Sequence, residues 1–394
     1  MARAPAVTIG MVAGEPSGDL LAAHLMTALT ARLPGARFVG IGGPKMRAAG
    51  MEVLYPLEKL AVRGYVEVIR HYREIRRIRS RLAAHFLREP PALFIGVDAP
   101  DFNLGLETRL KAAGVPTVHY VSPAIWAWRG GRIRKIRRAV SKMLLVFPFE
   151  VAIYERAGIP AAYVGHPLAE MLAEVPGREA MREQLRLPRT GKVIALLPGS
   201  RVSELKQMGG LLVDTALRIA AAAPDAAFLV PLATRATREL FETELLKRET
   251  GELRLTVLFG HAHDAMAAAD VVLAASGTAT LEAALLKRPV VILYRMPRLS
   301  YWIMRPRAYQ PYFGLPNILA GELIVPEFIQ DKATPENLAG AVLKFLDDEP
   351  LRRRLEERFE AMGRELRRDT AHLAAREILA LLDARPARMR VAAR

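Results

Sequence analysis

The most informative segment of the chain is residues 271–285, which read Val-Val-Leu-Ala-Ala-Ser-Gly-Thr-Ala-Thr-Leu-Glu-Ala-Ala-Leu. An apolar run of strand length is followed by a turn of small residues and then by a run typical of a helix. The small residues let backbone N–H groups and hydroxyls approach an anion, and a helix N-terminus attracts negative charge. The segment predicts a phosphate-binding turn, with the Glu282 carboxylate available to a ribose. An ordinary βα turn with Thr280 as helix N-cap is the alternative.

Composition predicts a two-domain protein. The chain has 394 residues, of which 51% are hydrophobic, which is too long for one typical core and sufficient for two. Cysteine is absent, which excludes a disulfide framework, a thiolate zinc site and a cysteine nucleophile. The apolar run at 7–12 is short for a signal peptide, and no apolar run approaches the roughly 20 residues of a membrane span. We therefore expect a cytoplasmic protein, with binding to a membrane surface left open.

The chain shows the same alternation of strands and helices twice. A strand at 6–13 leads into a glycine turn at 14–19, and a strand at 192–197 leads into a second glycine turn at 198–201. Such alternation predicts an α/β fold with two Rossmann-like, doubly wound domains built on parallel sheets. The predicted segments are an N-terminal domain at 1–168, a C-terminal domain at 169–334, and helices at 335–394 that pack back across the N-terminal domain.

The glycine turns disfavour two classes of nucleotide-binding protein. Gly14 and Gly18 are four residues apart, and the turn at 198–201 has one glycine, so neither is the Gly-x-Gly-x-x-Gly of a dinucleotide fold. The P-loop motif is also absent from the sequence. Ligands of open α/β sheets bind beyond the carboxyl ends of the strands, so we expect both turns to line a cleft between the domains.

The charge of the chain indicates an anionic partner. The formal net charge is +16, and much of it lies in 63–88, where apolar residues recur at helical spacing among arginines. Such a helix can lie on an anionic membrane surface, whereas packing of the apolar stripe on the central sheet is the alternative. A recognised nucleic-acid module is absent, which disfavours a nucleic-acid-binding protein. The predicted membrane contacts are Val66, Ile69, Arg70, Tyr72, Arg73 and Ile75.

Seven motifs occur in order along nearly the whole chain. They are AGEPSGD at 13–19, GIGGPKM at 40–46, VDAPDFN at 97–103, YVSPAIWAW at 120–128, LPGSR at 197–201, SGTATLE at 276–282 and LPNILAG at 315–321. Together they resemble the lipid-A-disaccharide synthases, glycosyltransferases of family 19 with the two-domain GT-B fold. The resemblance implies two parallel sheets that face an interdomain cleft, and it implies no cofactor.

The resemblance also implies the reaction. The donor is UDP-2,3-diacylglucosamine, the acceptor is 2,3-diacylglucosamine 1-phosphate, and the products are a β-1,6 disaccharide and UDP, formed on the cytoplasmic face of the inner membrane. Because the donor's α bond becomes β, we expect one inverting displacement with a base that deprotonates the acceptor hydroxyl. Asp98 at a strand end is our choice for the base, Asp101 and Glu15 are rivals, and the alternative for Asp98 is a cap on the turn before Pro100. Ser17 contributes a hydroxyl or an N–H to the sugar or phosphate, or caps the first helix.

The diphosphate of the leaving group requires positive charge. An Asp-x-Asp motif is absent, and the close pair His261 and His263 has no evident partner beyond Asp264. We therefore expect the turn at 276–280, the helix N-terminus behind it and Arg201 to supply the positive field without a metal. The predicted donor-site residues are Arg201, Ser200, Phe259, Gly260, Ser276, Gly277, Thr278, Thr280, Glu282 and Asn317.

Two alternative functions stay open, and two structural questions remain beside them. A UDP-sugar epimerase would share the cleft and the nucleotide site, and another glycosyltransferase could use a different lipid acceptor. The aromatic residues at 294–313 predict a second membrane contact or an acyl groove, with core packing as the alternative. Whether the chain forms a homodimer is also left open.

Overall fold

The chain consists of two compact units in a computed structural model that describes residues 7–60, 65–127, 130–188, 190–251, 253–297, 301 and 310–384. The first unit comprises Met1–Pro167 and Leu366–Arg394, and the second comprises Leu168–Glu365. The side chains of Val66, Ile69 and Arg70 and most of the aromatic segment at 298–309 lie outside the described residues.

The first unit contains, in its described part, a parallel sheet of seven strands in the order β3-β2-β1-β4-β5-β6-β7. The strands are β1 (Thr8–Ala13), β2 (Arg37–Gly42), β3 (Glu52–Pro56), β4 (Leu93–Val97), β5 (Thr117–Tyr120), β6 (Lys142–Leu145) and β7 (Ala161–Tyr163). The helices between them are α1 (Pro16–Arg32), α2 (Pro44–Ala48), α3 (Tyr65–Arg88), α4 (Pro100–Ala112), α5 (Ile133–Ala139) and α6 (Val151–Arg156). Because the strand order reverses between β1 and β4, the turns that follow these two strands flank the ligand position of a doubly wound sheet.

The second unit contains a parallel sheet of six described strands in the order β10-β9-β8-β11-β12-β13. The strands are β8 (Val193–Leu197), β9 (Ala227–Leu232), β10 (Leu255–Phe259), β11 (Val271–Ala275), β12 (Val290–Tyr294) and β13 (Glu327–Ile329). The helices are α7 (Pro167–Met171), α8 (Arg178–Gln184), α9 (Val202–Ala222), α10 (Arg235–Leu246), α11 (Ala262–Ala268), α12 (Thr278–Leu285), α13 (Leu315–Ala320), α14 (Pro335–Asp347) and α15 (Glu349–Leu366). Here the strand order reverses between β8 and β11, as predicted for a doubly wound sheet.

The central strands of both sheets are buried on both faces. Each residue of β4, β8 and β11 is buried, which is the expected result for parallel strands covered by helices on two sides. Continuous apolar runs such as Val271–Ala275 therefore form the strands, and the polar and small residues that follow them form the turns at the carboxyl edges.

The C-terminal helices divide between the two units. Helix α16 (Thr370–Asp383) packs against α1 in the first unit, whereas α14 packs against α9 in the second. This differs from the expectation that all of 335–394 packs across the N-terminal domain. The reason is that Leu338, Val342 and Phe345 of α14 are buried in the core of the second unit.

Helix α3 has a buried C-terminal half. Ile78, Leu82 and Phe86 lie in the core of the first unit, so the core-packing alternative holds for this part of the helix. Tyr72 is 54% exposed. Arg73 is also exposed, and Ile75 is half-buried against the core. Among the described residues, no helix is long and apolar enough to cross a membrane.

Candidate active site

Asp98 lies in a strained turn directly after β4. Its φ is 52°, and Ala99 follows with a φ of 43°, so two consecutive residues with side chains occupy the left-handed region at a cost of about 1–2 kcal/mol each. The Asp98 N–H donates to the Tyr120 carbonyl at 2.8 Å, and the Asn103 amide donates to the Asp98 carbonyl at 2.8 Å. Among described residues Ala99 is the N-cap of α4 and no side chain caps the helix, so Asp98 does not serve as a cap.

The rivals of Asp98 have different surroundings. The Asp101 carboxylate forms an ion pair with Arg132 at 2.5 Å and is largely exposed. Glu15, in the turn after β1, and Ser17, in the first turn of α1, are both exposed. Glu15 occupies the N-cap position of α1, so the alternative of Ser17 as the N-cap is wrong.

The turns after β1 and β4 touch. Ala13 of β1 is paired in register with Val97 of β4, and a Cβ on Gly14 would lie 2.3 Å from the Ala99 Cβ. Only glycine fits at position 14 without displacing the strained turn. The structure therefore brings the turn of Gly14 and Glu15 against the turn of Asp98 and Ala99, and Ser17 follows in the first turn of α1.

Asp19 has a structural role that sequence reasoning missed. Its buried carboxylate accepts hydrogen bonds from the N–H groups of Gly43, Lys45 and Met46 at 2.8, 3.0 and 3.1 Å. These donors belong to the first turn of α2, whose N–H groups have no partner within the helix. The carboxylate thus ties the motif at 13–19 to the motif at 40–46.

In the second unit, Arg201 and Ser200 lie in the turn after β8. The Glu204 carboxylate accepts hydrogen bonds from the N–H groups of Ser200 and Arg201 at 3.0 and 3.2 Å and forms an ion pair with the Arg201 guanidinium at 3.2 Å. Ser200 and Arg201 are exposed. Glu204 therefore fixes the backbone of the turn and leaves the guanidinium at the surface.

The turn at 276–280 lies beside this one, because β11 and β8 are adjacent with Ala274 opposite Leu197. Gly277 is the N-cap of α12 and has a φ of 154°, so Thr280 is not the N-cap. The buried Thr280 hydroxyl donates to the Gly277 carbonyl at 2.8 Å, and the Ser276 hydroxyl donates to the Phe313 carbonyl at 2.9 Å. Gly277 and Thr278 are exposed at the start of the helix.

Glu282 has a partner that the sequence did not indicate. The His263 imidazole lies 3.3 Å from the Glu282 carboxylate, and this hydrogen bond raises the pKa of His263. Asp264 instead pairs with His261 at 2.7 Å. The described residues include no group of three or more histidine, aspartate and glutamate side chains placed to hold a metal.

Asn317 is a structural residue rather than an exposed ligand-binding residue. Its buried amide donates to the Val325 carbonyl at 2.9 Å and to the Glu327 carboxylate at 2.7 Å. Its amide oxygen accepts from the N–H groups of Ile324 and Val325. All of these bonds lie inside the second unit, so the expected contact with the donor would require their loss.

Phe259 is the last residue of β10, and Gly260 follows it at the same edge of the second sheet. The Phe259 side chain is 59% exposed. Gly260 has a φ of 74° and donates its N–H to the Leu232 carbonyl at 2.8 Å. The backbone at Gly260 is therefore fixed beside an exposed aromatic ring.

A buried carboxyl organises the motif at 120–128, whose Trp128 lies outside the described residues. Burial raises the pKa of Glu150 to about 7, although hydrogen bonds from Ser122, the Phe147 N–H and Trp126 act in the opposite direction. His166 packs on the Phe147 ring with centroids 5.1 Å apart, and burial lowers the pKa of His166 to about 4. This cluster could not be predicted from the sequence.

Comparison with known proteins identifies the family. The profile described as lipid-A-disaccharide synthetase matches residues 9–378. The chain belongs to the lipid-A-disaccharide synthase family. A lipid-A-disaccharide synthase of Dechloromonas aromatica (strain RCB) is 55% identical over 379 residues, which are 96% of this chain and 99% of that protein. The predicted family is confirmed, and so is the prediction of a glycosyltransferase.

Solved structures show the GT-B fold. The UDP-GlcNAc 2-epimerase of Neisseria meningitidis is 12% identical with a TM-score of 0.63, covering 96% of this chain and 100% of that one. The glycotransferase of kitacinnamycin is 18% identical with a TM-score of 0.62, covering 96% and 99%. At these identities the likeness concerns the fold alone. The predicted fold class is confirmed, and membership of the lipid-A-disaccharide synthase family separates the chain from the epimerases with the same fold.

Proposed function

We propose that this chain transfers 2,3-diacylglucosamine from UDP-2,3-diacylglucosamine to the 6-hydroxyl of 2,3-diacylglucosamine 1-phosphate, forming a β-1,6 disaccharide and UDP. The observation that carries the proposal is the 55% identity to a lipid-A-disaccharide synthase over 96% of the chain. The position of the polar turns at the carboxyl edges of two doubly wound sheets supports it, because sugar-nucleotide enzymes of this architecture bind ligands there.

Asp98 is the proposed base. No described residue hydrogen-bonds or ion-pairs with its half-buried carboxylate, whereas the Asp101 carboxylate is held by Arg132. In an inverting displacement the Asp98 carboxylate takes the proton of the acceptor 6-hydroxyl. The hydroxyl oxygen of the acceptor forms the new bond to the donor C1 while the bond from C1 to the UDP oxygen breaks. Glu15 on the adjoining turn and Ser17 at the start of α1 then bind the sugar hydroxyls or the phosphate.

The second unit supplies the donor site. Gly277 and Thr278 are exposed residues at the start of α12, and the helix dipole favours an anion there. Arg201 on the neighbouring turn has an exposed guanidinium, which can leave Glu204 and pair with the diphosphate instead. The positive charge of this guanidinium and of the helix N-terminus then stabilises the leaving diphosphate without a metal ion. Glu282 accepts hydrogen bonds from the ribose, and Phe259 with Gly260 receives the uracil.

The substrates place the protein at a lipid surface. Their acyl chains remain in the bilayer, so the enzyme must approach the headgroups. We propose that the N-terminal half of α3 contacts the anionic cytoplasmic face of the inner membrane, because Tyr72 and Arg73 are exposed there.

Incubation of the protein with both lipids tests the proposal. Mass spectrometry is expected to show a tetraacylated disaccharide 1-phosphate and stoichiometric UDP. Isomerisation of the UDP-sugar without acceptor would instead indicate an epimerase, and transfer only to another lipid would indicate a different acceptor. Either result would overturn the proposed reaction.

A further inference from the structure

Beneath the Asp98 turn lies a cluster of three fully buried polar side chains. Asn103 and Glu107 are one turn apart on α4, His119 lies on β5, and each has a relative exposure of 0%. The Glu107 carboxylate and the His119 Nδ1 are 2.7 Å apart. The cluster therefore connects the helix that follows Asp98 to the strand beside it.

The sheet leaves room for this cluster. Gly96 of β4 is opposite His119 of β5, and a Cβ on Gly96 would lie 2.1 Å from the Glu107 carboxylate oxygen and 2.9 Å from the Asn103 Cβ. A side chain at Gly96 would expel the carboxyl. Glycine in the middle of a strand marks such a close approach.

The cluster lowers the stability of the folded protein. Within the described part of the chain, the Asn103 Oδ1, the Glu107 Oε2 and the His119 Nε2 are buried without a hydrogen-bond partner. Burial also raises the pKa of Glu107, an effect that His119 partly offsets. Each unsatisfied buried group destabilises the fold, and apolar residues of similar shape fill such a space at lower cost. This cost calls for a role other than stability.

Two hydrogen bonds connect the cluster to Asp98. The Asn103 amide donates to the Asp98 carbonyl from the α4 side, and the carbonyl of Tyr120, the residue after His119, accepts from the Asp98 N–H on the β5 side. The pair of Glu107 and His119 links these same two elements. Both supports of the left-handed Asp98 backbone are thus fixed relative to each other.

We propose that Asn103, Glu107 and His119 are positioning residues that hold the strained Asp98 turn in the conformation required for proton abstraction. The proposal rests on the proposed role of Asp98 as the base. Asn103 fixes the turn directly, and the pair of Glu107 and His119 keeps α4 in register with β5.

The test is a double variant with apolar residues at both positions of the pair, Glu107→Leu with His119→Leu. We expect the melting temperature to be unchanged or higher, kcat to fall about tenfold or more, and both KM values to stay within about twofold, because misplacement of a reacting group lowers the rate of the chemical step. The conservative variant Glu107→Gln keeps an acceptor for His119 and is expected to retain kcat. A stable double variant with wild-type kcat would overturn the proposal.

Asn103→Ala tests the direct contact and serves if the double variant does not fold. Its matched control is Leu110→Ala, which removes a buried side chain of the same helix away from Asp98. We expect a loss of kcat for Asn103→Ala only, and equal kcat values would overturn the proposal. Asp98→Asn in the same assay distinguishes failure of the proposed base from failure of the proposed positioning role. Full activity of Asp98→Asn would refute the assignment of Asp98 as the base. If Asp98→Asn is inactive while Asn103→Ala is fully active, only the positioning role of Asn103 is refuted.

Discussion

Glu150 and His166 are buried neighbours of the same aromatic cluster and should give opposite dependences of stability on pH. The pKa of Glu150 is raised from 4.5 to about 7, so between these values the folded protein keeps a proton that the unfolded chain has lost. The free energy of unfolding contributed by Glu150 therefore falls as pH rises through this window. The pKa of His166 is lowered from 6.5 to about 4, so its contribution rises with pH between about 4 and 6.5.

The magnitude follows from the shifts. At about 1.4 kcal/mol for each pKa unit, either group contributes a change of about 3 kcal/mol across its window. In the wild-type protein the two gradients oppose each other between pH 4.5 and 6.5. Removal of one group should expose the gradient of the other.

The pH dependence of each contribution is measured by urea denaturation between pH 4 and 8. The proteins compared are the wild type, Glu150→Gln and His166→Gln. The stability of the wild type minus that of Glu150→Gln is expected to fall by about 3 kcal/mol from pH 4.5 to 7, and the corresponding difference for His166→Gln is expected to rise by about 3 kcal/mol from pH 4 to 6.5. Glu155→Gln, at an exposed position of α6, controls for removal of a carboxylate. Differences that are flat, or that share one sign of slope, would refute the reasoning.

Three further predictions concern the donor site, the role of metal ions and membrane binding. Arg201→Ala should lower kcat/KM for the UDP-sugar about a hundredfold in steady-state kinetics, because a cation at the leaving group is lost, whereas Arg235→Ala on α10 should have no effect. Excess chelator should leave the initial rate unchanged, and restoration of a lost rate by magnesium would contradict the proposed donor site. Tyr72→Ser should weaken sedimentation with anionic vesicles at unchanged melting temperature, whereas serine at Leu246, which is 87% exposed in the second unit, should not.

The local pattern was sufficient to predict the elements and the turns. The runs before Gly14, Asp98 and Gly277 are buried strands, because a continuous apolar run of that length forms a strand between two helical layers. Helix starts were less predictable. Thr280 and Ser17 are common N-cap types, yet backbone geometry places the caps at Gly277 and Glu15.

Contacts between distant residues could not be predicted. Nothing near Asn317 in the sequence indicates that its amide bonds to Val325 and Glu327, and the pairing of His263 with Glu282 depends on the packing of α11 beside α12. The contacts of Glu204, by contrast, are local in sequence. Its position three residues after the helix N-cap is the spacing of a capping box, a local signal that could have found it.

Single-turnover kinetics of Asp98→Asn, with enzyme in excess over the UDP-sugar and with saturating acceptor lipid, tests the central claim most directly. The substitution keeps the size of the side chain and removes the basic carboxylate. We expect the rate of disaccharide formation to fall about a hundred- to ten-thousandfold while binding of UDP and the melting temperature stay unchanged. A single-turnover rate equal to that of the wild-type protein would contradict the assignment of Asp98 as the base.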